Sequence, residues 1–225
     1  MSDIHYSLTA WVAGLMLLLV SMATPGHATT VTFGFTDNIT DANPYVGNQL
    51  FVDIATTADP AKVSFTFRNT GPIASFIGAI YLVNSPLLFS NSPAPNIGNH
   101  TGVQFNPGAS PDHLPGPSGS GFDKDSIWFS ADAHPAANGI NPGESLEIVF
   151  ALLGGFDFNS VIDAVLANTL RLGLHVQGIT GKNGGSDSYV LTTTPLPGAL
   201  PLFATGLVSF SFLRRWRKKR NMAMA

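Results

Sequence analysis

The sequence predicts an all-β protein, an antiparallel sandwich of the jelly-roll kind with one short helix. Two observations carry this. Gly, Pro, Asn, Asp, Ser and Thr are abundant between short apolar runs, with 23 Gly and 16 Pro in 225 residues. Within those runs apolar residues recur at spacing two, the period of a strand with one buried face.

Val31 to Thr36 opens the series and Gln49 to Ile54 follows. Lys62-Val63-Ser64-Phe65-Thr66-Phe67-Arg68 alternates most strictly, so Val63, Phe65 and Phe67 are expected on a buried face with the polar set toward water. Asn69 to Pro72 is a turn, and Phe76 to Val83 is apolar enough to be covered on both faces. From Asn84 to Asp125 the composition shifts to Pro, Gly, Ser and Asn, with a brief strand at Val103 to Phe105. A loop of that length is expected to be a binding surface or a mobile insertion. Ser126 to Ser130 carries Trp128 on the next strand. Glu144 to Leu153 places Leu146, Ile148 and Phe150 on one side.

Asn159 to Asn168 is the helix, capped by Asn159 or Ser160, with Val161, Ile162, Val165 and Leu166 on one face. Leu170 to Val176 alternates again, sending Arg171, Gly173 and His175 outward. After the Gly-rich turn 181–185, Ser188 to Thr192 is the last strand.

The two ends read differently. Residues 1–28 have an apolar stretch, Trp11 to Val20, then Pro25-Gly26 and small residues up to Ala28, the pattern of a signal peptide cleaved after Ala28 by signal peptidase. Residues 194–225 combine Pro195-Leu196-Pro197, an uncharged apolar segment to Leu213, and the basic cluster Arg214, Arg215, Arg217, Lys218, Lys219 and Arg220. Counted from Leu196 the apolar part is about 18 residues, a helix of roughly 27 Å, a short bilayer span. The basic cluster would hold its own end in the cytoplasm and leave residues 29–193, the β-sandwich ectodomain, outside.

This tail resembles the PEP-CTERM sorting signal of Gram-negative bacteria in its Pro-x-Pro start, its PLFATGL block (Pro201 to Leu207) and its terminal Arg/Lys cluster. Leu196 stands where the family's motif has glutamate. The segments Gly139 to Leu152, Leu170 to Ile179 and Ser186 to Val190 are similar to the β-rich body of many such proteins. The resemblance implies an exosortase that removes the tail, transient anchoring in the inner membrane, delivery to the cell surface or extracellular matrix, and association with exopolysaccharide.

Composition excludes several chemistries. Without cysteine there is no disulfide, thiolate nucleophile or cysteine metal site. Between Thr29 and Leu213 five basic residues face thirteen acidic ones, a net charge of about −8 that repels nucleic acid. No GxSxG is present, since Gly116 to Gly121 misses it by register, and Gly181-Lys182-Asn183 is not a phosphate loop. His100, His113, His134 and His175 lack the spacing of a zinc helix. Glu144 and Glu147 point to opposite faces of one strand.

Asp123, Asp125 and Asp132 flank Trp128 and Phe129, which would suit a hydrolase of polysaccharide or ester groups. Asp123 and Asp125 at alternate positions also offer calcium two carboxylates, and Asp37 with Asp41 forms a second such cluster. With no catalytic constellation, the leading expectation is a non-enzymatic surface or matrix protein without a required cofactor. A further alternative is a scaffold subunit that pairs through an exposed edge strand at Val31 to Thr36.

Overall fold

The computed structural model describes residues 28–38, 45–83, 88–116, 121–180 and 185–195. The expected signal segment before Ala28 and the tail from Leu196, with its apolar span and basic cluster, lie outside the described residues. Among the described residues no helix is long and apolar enough to cross a membrane.

The described residues are mostly antiparallel β-sheet, with one short α-helix among them. In chain order the strands are β1 (Thr30–Asp37), β2 (Leu50–Thr56), β3 (Lys62–Asn69), β4 (Phe76–Val83), β5 (Asn96–Ile97), β6 (Phe105–Pro107), β7 (Phe129–Ala133), β8 (Glu144–Ala151), β9 (Arg171–Ile179) and β10 (Gly185–Pro195). The helix α1 (Phe158–Leu166) precedes β9. The strands form one continuous sheet in the order β5-β8-β3-β2-β1-β10-β9-β4-β7-β6, with every strand pair antiparallel.

Alternation decides which side faces in. Val63, Phe65 and Phe67 of β3 are fully buried, as are Leu146, Ile148 and Phe150 of β8 and Val52 and Ile54 of β2. The sheet rolls over on itself until its two halves meet. Phe150 of β8 then touches Trp128 and Phe129 from the opposite half, at ring centroids 6.0 and 5.3 Å apart, and Phe89, which is bridged to the end of β8, at 5.0 Å. One segment covers both edges of this nearly closed barrel. Its first part, β5, lies on β8, its last part, β6, lies on β7, and a turn bonded through His100 and Val103 joins them. Edges that are two and three residues long, the latter ending on Pro107, leave little backbone for another chain to pair with.

The long polar loop is built onto the sheet. Leu114 and Phe122, 3% and 1% exposed, pack with Ala79 and Tyr81 in a second apolar cluster outside β4 and β9. Tyr81 donates its hydroxyl to the Pro111 carbonyl at 2.9 Å. Gly173 makes this close approach possible, because a Cβ there would meet Leu114 at 2.7 Å and Phe122 at 3.0 Å. His175, expected to face water on the same side of β9, is therefore corrected to a buried residue, 7% exposed.

The helix is capped at Asp157, two residues before Asn159, the earlier of the two expected caps. Asp157 accepts from the Ser160 amide at 2.8 Å while Ser160 Oγ accepts from the Asp157 amide, a complete capping box. Val161 and Val165 are buried, whereas Leu166, expected on the inner face, is 45% exposed.

Candidate functional site

The two halves of the sheet differ on their outer faces. The loop covers β4 and β9, whereas the outward side chains of β1, β2, β3 and β8 form a largely polar, partly exposed platform. Since Phe33, Val52, Phe65 and Ile148 point into the core, their neighbours in sequence must point out. Register then sets Thr32, Asp53, Thr66 and Glu147 side by side across four strands, with Gly34, Phe51, Arg68 and Ser145 as the adjacent row. Strands lie ~4.8 Å apart, so each row presents a polar group at about that interval.

Asp53 is the centre of the platform. Its Oδ1 accepts from Thr32 Oγ1 at 2.6 Å and from Arg68 Nη2 at 3.0 Å, and its Oδ2 lies 2.7 Å from Arg68 Nε. The contact is an ion pair with one hydrogen bond, from Nη2, and Arg68 Cζ stands 5.5 Å from the centroid of the half-buried Phe51 ring. Asp53 Oδ1 thus accepts from Thr32 and Arg68 together. Glu147, beyond Thr66, is exposed. The arrangement can stack the apolar face of a ring on Phe51 and hydrogen-bond hydroxyls along the rows. Sequence reading placed the polar set of β3 toward water but did not single out Phe51, Asp53 or Arg68, because their juxtaposition exists only through register between strands.

The carboxylates expected beside Trp128 are not brought together with it. Trp128 is half-buried and packs inward on Phe89 and Phe150, whereas Asp132 leaves β7 on the face opposite Ala131 and Ala133, which are buried in the core. Asp123 and Asp125 are exposed in a turn closed by the Ser126 and Ile127 amides on the Asp123 carbonyl. Lys124 between them reaches back to Asp112 at 2.8 Å. That hydrogen bond, and a second from His113, hold the Asp112 carboxyl below the usual carboxylate range.

Asp37 is half-buried at the end of β1 opposite Tyr189; burial first, and the charges of Asp187 and Asp37 next, push the Tyr189 phenol up. Asp41 lies outside the described residues. Among the described residues no group of three or more His, Cys, Asp or Glu gathers where a metal ion could be held.

The histidines are dispersed. His100 bonds the Ser145 and Thr101 carbonyls, which raise its pKa. His113 lies beside Asp112, and His134 is exposed. His175 has Nδ1 3.2 Å from Gln177 Nε2, and burial lowers its pKa. Glu144 accepts from the amide and side chain of Asn141, both at 2.9 Å, closing the turn before β8.

Ala28 is exposed, and Thr29 just after it exchanges bonds with Thr56, its amide donating to Thr56 Oγ1 and its carbonyl accepting from the Thr56 amide, both at 3.0 Å. Pro195 is the last residue of β10 and pairs with Phe33. Leu196 and Pro197 lie outside the described residues. β1 is central, flanked by β2 and β10, so the expectation of an exposed edge at Val31 to Thr36 is corrected: both of its backbone edges are used. Comparison of the chain with models of protein families, with characterised proteins and with solved structures found no match.

Proposed function

We propose that this protein is an exported, exosortase-processed component of the cell surface or extracellular matrix, non-enzymatic, whose β-body contacts exopolysaccharide through the platform around Phe51, Asp53 and Arg68. In this reading the body is a jelly-roll-like sandwich with β5-β8-β3-β2 facing β9-β4-β7-β6, and the contacts of Phe150 with Trp128 and Phe129 support it.

One observation carries the proposal. The described strands run from Thr30, two residues after the expected cleavage point at Ala28, to Pro195, the first residue of Pro-Leu-Pro. The first and last of these strands pair beside each other, an arrangement that suits a body between two processing segments. The platform supports the choice of partner, since carboxylate acceptors beside a partly exposed ring suit a hydroxyl-rich chain.

Two assays test this. Alkaline phosphatase fused after Thr194 should be active in the cell envelope, and a fusion active only as a cytosolic reporter would end the proposal. Full-length protein in mild detergent should be retained by at least one member of a polysaccharide panel without cleaving it; turnover of a glycoside or ester would replace it with the hydrolase reading.

A further inference from the structure

The segment that joins the two edges of the sheet holds them partly through side chains. On the outer edge of β8 the Glu147 and Ala151 carbonyls accept from the Gly98 and Ser90 amides at 2.8 and 2.9 Å, and β5 pairs with Ile148 and Val149. Nearer the start of β8, the Ser145 carbonyl meets a side chain in place of an amide, His100 Nε2 at 2.8 Å. Asn99 serves β6 in the same way. Its Oδ1 accepts from the Phe105 amide at 2.8 Å and its Nδ2 donates to the Phe105 carbonyl at 2.9 Å. Val103 and Phe105, 0% and 1% exposed, seat the segment in the core, while His100 is exposed at its turn.

The imidazole faces a carbonyl from each nitrogen, because Nδ1 lies 3.2 Å from the Thr101 carbonyl. A carbonyl oxygen only accepts, so each contact is a hydrogen bond only when that ring nitrogen carries a proton. The neutral ring has one N–H and satisfies one carbonyl; the imidazolium has two and satisfies both. We propose that His100 makes segment 96–107 a pH-governed latch, in which the protonated ring ties the turn between β5 and β6 to the edge of β8 and loss of one proton loosens that turn. The surroundings favour the charged ring. Of the elements packed against the segment, β8 brings Glu144 and Glu147, and β7 brings Asp132, opposite Asn106, with His134 just past its end. Glu144 is close to the turn, since a Cβ on Gly102 would lie 3.4 Å from its Oε1. The bonds to Ser145 and Thr101, and then the charge of Glu144, raise the pKa of His100 above 6.5. With the folded value above the unfolded one, the tie is fully present below 6.5 and is lost as pH rises through the folded value, opposite in sign to the buried His175. The buried Val103 and Phe105 confine the change to the turn. The latch is independent of the partner proposed above.

Hydrogen exchange of the full chain in mild detergent, expressed as protection relative to the intrinsic rate at each pH, tests the proposal together with NMR titration of the histidine rings. The His100 ring should titrate above 6.5. Protection of the Gly98 and Val103 amides should fall at least about twofold between about pH 5.5 and 8.5, while peptides from β3 and β9 show no such fall. His100→Gln, which keeps a donor and does not titrate, should remove the pH dependence of the turn. A ring that titrates at or below 6.5, protection of the turn that is flat or rises with pH, or a fall that persists in His100→Gln would each overturn it.

Discussion

Phe129 and Phe150 meet edge to face, with ring centroids 5.3 Å apart and planes at 89°, although β7 and β8 stand near opposite ends of the strand order. Their contact is a direct consequence of the rolled sheet. Phe150→Ala, at a fully buried position, should cost about 3–5 kcal/mol, and Phe129→Ala, half-exposed, clearly less. In urea unfolding of the double variant the two losses should fall short of additivity by about 0.5–1.5 kcal/mol. Strict additivity would mean that the two halves do not meet there.

Much of this architecture was legible before any coordinates. Val63, Phe65 and Phe67 announced a half-buried strand, and Phe76 to Val83 announced one covered on both sides, because period and run length are local properties. What was not legible depends on distant residues. Nothing near His175 says that Leu114 and Phe122 arrive over the same face of β9, nor that β1 will be central rather than at an edge. The two-residue β5 carries no period at all. Phe51 and Arg68 could be assigned outward one at a time, yet the platform they form with Asp53 is created by register.

The burial of His175 predicts a pH dependence. Its pKa in the folded protein lies below the ordinary 6.5 because burial disfavours the charged ring. The unfolded chain therefore takes up the proton first as pH falls, so the contribution of His175 is fully present above 6.5 and is lost as pH drops through the folded value. Urea midpoints should fall between about pH 7.5 and 5.5, and His175→Gln should flatten that fall. An unchanged slope would place the acid sensitivity elsewhere.

A buried amide ties the start of β2 to the turn before β4. Gln49 Nε2 lies 2.8 Å from Asn69 Oδ1, 2.8 Å from the Ile73 carbonyl and 3.0 Å from Ser75 Oγ, and Gln49 Oε1 accepts from the Ile73 amide at 3.0 Å. Gln49→Leu keeps the approximate size and strands these partners, so it should destabilise by roughly 1–3 kcal/mol in denaturant titration. Gln49→Glu, with an acceptor in place of the donor, should be no better tolerated.

The platform predicts binding loss without unfolding. Phe51→Ala combined with Glu147→Ala should weaken polymer retention at least about tenfold, ~1.4 kcal/mol, while the melting temperature stays near that of the parent protein. Affinity electrophoresis in polysaccharide gels reads the first quantity and a thermal melt the second. Retention that persists in the double variant would move the contact to another face.

Processing at both ends of the β-body is the centre of the proposed function. The most direct test is the intact mass of the protein recovered from its own host. A polypeptide that begins at Thr29 and ends close to Pro197 is predicted, with the apolar segment and the basic cluster from Arg214 gone. A chain still carrying residues 1–28 and all residues to Ala225 would contradict it.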